Sequence, residues 1–98
     1  MVEVELQISD RADTDTLVRL VEQICTGNRL TCTLKGTLAK YPGSIHWHFK
    51  KDDQKGIVEI TWWETAGRLW FKLAGNRRGD WIEDSIPVLK EQIEKLLG

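Results

Sequence analysis

Apolar and polar residues alternate along much of this chain, and the alternation marks out strands. Val2, Val4, Leu6 and Ile8 alternate with Glu3, Glu5 and Gln7, which is the period of two of a strand with one face against a core. Leu30, Cys32, Leu34, Gly36 and Leu38 alternate in the same way with Thr31, Thr33, Lys35 and Thr37, and threonine suits a pleated surface. Three more strands follow within residues 38–73, carried by Ile45, Trp47 and Phe49, then Val58, Ile60 and Trp62, then Leu69, Phe71 and Leu73.

Between the first two strands the period changes. Residues 9–15 are polar and offer several N-cap side chains. Leu17, Leu20, Val21 and Ile24 then recur at helical spacing, and Gly27 is placed to end the helix in a left-handed cap. Ile82, Ile86, Leu89, Ile93 and Leu96 or Leu97 mark a closing helix. Asp80 and Glu83 have capping-box spacing, but a start there would put Pro87 inside the helix at a cost of about 3 kcal/mol. A short turn from Asp80 and a regular helix from near Ser85 are therefore expected.

Turn residues propose a register. Tyr41, Pro42, Gly43 and Ser44 form a type II turn signature, and closing a hairpin on it pairs Leu38 with Trp47 and Gly36 with Phe49. The loop Asp52, Asp53, Gln54, Lys55 pairs Phe49 with Val58, Trp47 with Ile60 and Ile45 with Trp62. A reversal at Ala66 and Gly67 pairs Trp62 with Phe71 and Ile60 with Leu73. All three closures send the apolar set to one face. The other face then carries Thr33, Lys35 and Thr37, then His46, His48 and Lys50, then Glu59, Thr61 and Trp63, then Trp70 and Lys72.

The predicted fold is α+β in two layers, β-α-β-β-β-β-α, with both helices on one face of a five-stranded antiparallel sheet and residues 1–98 forming one domain. The place of the first strand in the sheet stays open. This order of elements resembles one half of a TATA-box-binding protein and the related helix-grip folds. That resemblance implies a curved sheet offering its open face to a ligand. The TATA-binding fold's nucleic-acid role goes with a strongly basic surface, whereas this chain has a formal charge of −1.

Composition adds little beyond excluding classes. With 41% hydrophobic and 30% charged residues, the chain reads as an ordinary globular protein. No apolar run is long enough to span a membrane, and the charged start does not read as a signal peptide; a cytoplasmic protein is expected. Cys25 and Cys32 both fall on apolar positions and read as buried free thiols, with a disulfide between them as the alternative.

Five tryptophans stand out against two Phe and one Tyr. Trp63 and Trp70 fall together on the open face, and with His46, His48, Thr61, Lys72, Arg77 and Arg78 they make the expected ligand or partner surface. The first expectation is a non-enzymatic binding module, with a protein partner or a second copy of the chain on this face. Single-stranded nucleic acid is the alternative on the same surface, its bases stacking on the indoles. A metal-dependent enzyme at His46, His48 and Glu59 is the alternative from another class. The two imidazoles share one face roughly 7 Å apart at about 3.3 Å of rise per residue, and two His with a carboxylate make a zinc or iron donor set. The plainer reading is a histidine paired with Glu59 on a solvated face. No phosphate loop, HExxH or nucleophile elbow is present, so the sequence leans away from an enzyme and calls for no cofactor.

Overall fold

The structure is a computed structural model and describes residues 2–9, 12–73 and 79–98. Its elements are β1 (Val2–Leu6), α1 (Thr14–Gly27), β2 (Leu30–Gly36), β3 (Ile45–Lys51), β4 (Val58–Trp63), a 3₁₀ turn (Glu64–Ala66), β5 (Arg68–Leu73) and α2 (Asp80–Leu97). The sheet runs β1-β5-β4-β3-β2 with every pair antiparallel. The expected α+β fold is therefore what the chain adopts, and β1 takes the edge beside β5. Among the described residues no helix is long and apolar enough to cross a membrane.

Both helices lie on the face where the apolar residues alternate. Leu17, Val21 and Cys25 of α1 and Ile82, Ile86, Leu89 and Ile93 of α2 share one core with Trp47, Phe49, Val58, Ile60, Leu69 and Phe71. The tryptophans there keep their indole N–H groups paired, as buried polar groups must. Trp47 donates to Glu22 Oε2 at 2.9 Å and Trp62 to Thr14 Oγ1 at 3.1 Å. Burial pushes the Glu22 carboxyl up, but hydrogen bonds from Lys35 and Trp47 and the charge of Lys35 bring it below its usual range.

Helix ends differ from expectation in two places. The α1 N-cap is Asp13, whose carboxylate accepts from Thr16 N at 3.0 Å. Gly27 is the last helical residue rather than a left-handed cap, and the positive φ of 67° belongs to Arg29. The second difference is that α2 starts at Asp80, so Pro87 does lie inside it. What outweighs the proline is the first turn, where Trp81 and Ile82 are buried and Trp81 Nε1 donates to Lys55 O at 2.7 Å. Gly79 permits that approach, since a Cβ there would collide with the Lys55 carbonyl. The ring nitrogen of Pro87 has no proton for the carbonyl of Glu83, and its side chain is exposed. Pro87→Ala is expected to raise the unfolding free energy by about 1–3 kcal/mol, read from urea unfolding; a loss of stability would show that the proline serves the packing of α2.

Two of the three registers also differ. β3 and β4 pair as expected, Phe49 with Val58 and Ile45 with Trp62. β4 and β5 are displaced by two residues from expectation, Trp62 facing Leu69 and Ile60 facing Phe71, because the 3₁₀ turn and Gly67 at φ 63° reverse the chain sooner. A shift of two keeps every side chain on its face.

The β2–β3 hairpin departs further. Gly43 has the positive φ of 81° and Ser44 N reaches Tyr41 O at 3.0 Å, as the turn signature requires. That turn, however, sits inside a loop of residues 37–44, and Gly36 faces His46 rather than Phe49. A bulge between Cys32 and Leu34 then reverses the alternation. Cys32 faces Phe49 and Lys35 faces Trp47, so Lys35 lies on the helix side, bridging to Glu22 at 2.7 Å, and not on the open face. Both cysteines are free; Cys25 is buried, its thiol pushed up to about 12 by burial first and then by Cys32 and Glu22, whereas Cys32 is exposed.

Candidate metal centre

β3 alternates His46 and His48 onto the open face with Trp47 between them under the helices. Across the ladder His46 faces Thr61 and His48 faces Glu59. The side chains converge: the two Nε2 atoms are 3.0 Å apart, and Glu59 Oε1 lies 3.4 Å from His46 Nε2 and 3.6 Å from His48 Nε2. On its other nitrogen, Nδ1, His46 meets Thr61 Oγ1 at 2.7 Å.

The cluster is not a solvated surface pair. His46 is 4% exposed and Glu59 8%, and His48 is only half-buried. Burial holds His46 below the usual histidine range, and the neighbouring His48 adds to this against the opposing pull of Glu59. A neutral imidazole is the form that ligates a metal. In the tautomer where Thr61 Oγ1 accepts from Nδ1–H, the lone pair of His46 lies on Nε2, facing the other two donors.

Metal geometry can be tested on these distances. The circle through three atoms 3.0, 3.4 and 3.6 Å apart has a radius of about 1.9 Å. An ion with zinc-like bonds of about 2.0–2.1 Å therefore reaches all three donors from just outside their plane. Two histidines and a carboxylate suit zinc or iron(II), and three protein donors leave coordination positions open to a further ligand. Among the described residues His46, His48 and Glu59 form the one such group.

The flanks of this cluster correct the sequence reading of the face. Trp70 is 1% exposed and sits opposite Thr61, not beside Trp63. Tyr41, brought over by the 37–44 loop, stands between the indoles with its ring centroid 5.1 Å from each. Arg68 covers Trp70 with its guanidinium carbon 4.3 Å from the ring centre, and its charge is taken up by Glu5. Trp63 remains half-exposed and donates to Pro42 O at 3.0 Å. The expected pair of exposed indoles is thus a covered aromatic cluster with one open side. Nothing in the alternation pattern marks Tyr41 as its cover.

On the other side of the cluster, Lys72 lies across from Glu59 and is half-buried. The bulge delivers Leu34 opposite His48, 46% exposed, and Gly36 opposite His46, where a Cβ would meet nothing. Sequence alternation had assigned both to the core face. Arg77 and Arg78 lie outside the described residues.

Comparison with known families, characterised proteins and solved structures finds no match for this chain.

Proposed function

We propose that this protein is a metal-binding domain in which His46, His48 and Glu59 hold one divalent transition ion, zinc or iron(II), at an open centre on the sheet. The observation that supports this reading is the convergence of three donors within 3.6 Å of one another while Thr61 orients one of them. A centre with three protein ligands is of the kind that polarises a bound water or substrate oxygen, lowering the pKa of zinc-bound water to about 7. Thr61 has the role of an outer partner, holding the His46 ring through Nδ1. The test is metal analysis of gently purified protein: about one equivalent per chain is expected in the wild type and none in His48→Ala. A wild type that holds no metal and gains no stability from added zinc ends this reading.

A second reading is a docking face for a protein partner, a second copy of the chain or single-stranded nucleic acid. It is supported by the half-exposed indole of Trp63, with Lys40 over the Tyr41 ring and Arg68 over Trp70 in the same cluster. Sedimentation of wild type and Trp63→Ala, with and without a single-stranded oligonucleotide, checks it. The expected result is a faster species lost in the variant; a monomer indifferent to oligonucleotide in both chains removes it.

A further inference from the structure

The open side of the proposed centre is built asymmetrically, and the asymmetry bears on what completes the coordination. β3 supplies His46 and His48, and β4 supplies Glu59, so all three donors rise from the middle of the sheet. The positions left over point away from it. On the β2 side the bulge has placed the apolar Leu34 and the side-chain-free Gly36. On the β5 side stands Lys72, directly across the ladder from Glu59, a separation of roughly 5 Å between Cβ atoms for such pairs.

A lysine next to a cation site is unfavourable unless something negative lies between them. With neutral histidines, Glu59 cancels only one of the two charges of a divalent ion, so the centre keeps one positive charge and Lys72 adds another. Glu3, the neighbour of Lys72 on the far side, is an edge-strand residue exposed to solvent and is screened accordingly. A water ligand brings no charge of its own to offset this surplus on the inner side, where His46, Glu59 and Thr61 are buried. An anionic ligand compensates it by bonding to the ion through one atom and accepting from the ammonium through another.

Resting on the metal reading above, we infer that the open position takes a small oxyanion, a carboxylate being the simplest, with Lys72 as its second contact. Leu34 and the gap at Gly36 leave the opposite side free for an apolar body attached to that carboxylate. The ligand class is thus an organic acid and not a neutral carbonyl compound.

The experiment loads the full chain with one equivalent of cobalt(II) and follows the visible absorption of the ion during titration with acetate, and separately with azide, at constant ionic strength held by perchlorate. Wild type and Lys72→Arg are expected to respond saturably. Lys72→Gln is expected to retain the same equivalent of cobalt and to bind both anions about tenfold more weakly, the scale of one screened charge contact. Equal anion affinity in Lys72→Gln and wild type, or a cobalt spectrum that neither anion changes, overturns the inference while leaving the metal centre standing. Loss of cobalt from Lys72→Gln overturns it as well, because Lys72 would then support the ligand set and not the anion. Failure of the wild type to take up cobalt at all removes the metal reading and the inference with it.

Discussion

Zinc at a free concentration 100 times its dissociation constant is expected to stabilise the wild-type fold by about 2.7 kcal/mol and the His48→Ala variant not at all. For a chain of this size that is a rise of roughly 10–20 °C in the unfolding midpoint. The contrast follows from where His48 stands. It is half-buried at the rim of the cluster, so truncating it leaves the core under the helices intact. In the proposed centre it is one of three donors, so its loss would leave His46 and Glu59 without the geometry to hold an ion. Thermal unfolding of both chains with and without zinc reads the effect. Identical wild-type midpoints across a zinc titration would mean that the three side chains are a polar cluster and nothing more.

Trp47→Ala should cost about 3–5 kcal/mol, the range for truncating a buried large aromatic. Trp47 is fully buried between the sheet and α1, and its removal opens a void that the surrounding strands fill only in part. Its indole N–H also holds Glu22, which is shared with Lys35 of the edge strand. The variant therefore loosens the tie between α1 and β2 as well as the core. Since domains of this kind are stable by about 5–15 kcal/mol in all, much of the margin goes. Urea unfolding monitored by circular dichroism gives the value, and a change under about 1 kcal/mol would contradict the packing described for β3.

How far the sequence could be read depended on what lay between the strands. Element order and the burial side of each β3, β4 and β5 residue follow from alternation alone, because a period of two leaves no freedom once one apolar face is chosen. The site's central ladder was legible for the same reason: the residues 52–55 reversal aligns His46 with Thr61 and His48 with Glu59. The β4–β5 register was not, since the 3₁₀ turn with Gly67 takes four residues and begins at Glu64, ahead of the two-residue reversal expected at Ala66 and Gly67, and a slip of two leaves the hydrophobic pattern unchanged. The bulge in β2 was invisible because Thr33, Leu34 and Lys35 continue the alternation without a break; only the pairing partner shows that one residue is extra. Burial of Trp70 was hidden in the 37–44 loop, which brings Tyr41 against it. Its turn chemistry was plain in Pro42 and Gly43, but turn chemistry does not say which way a loop folds.

The bulge between Cys32 and Leu34 has a consequence for the outer side of the sheet. β2 is an edge strand exposed from Thr31 to Gly36, rich in residues that favour extended chain, and a straight strand of that composition is a template on which another molecule's strand can grow. The irregularity cuts this template into two short runs that differ in phase, so a straight incoming strand that aligns with one is out of step with the other. Cys32 Sγ also spends itself on the Leu34 carbonyl at 3.3 Å, engaging one of the acceptors of that edge. The same extra residue that turns Leu34 toward the histidines thus blunts the sheet's free margin against uncontrolled strand addition.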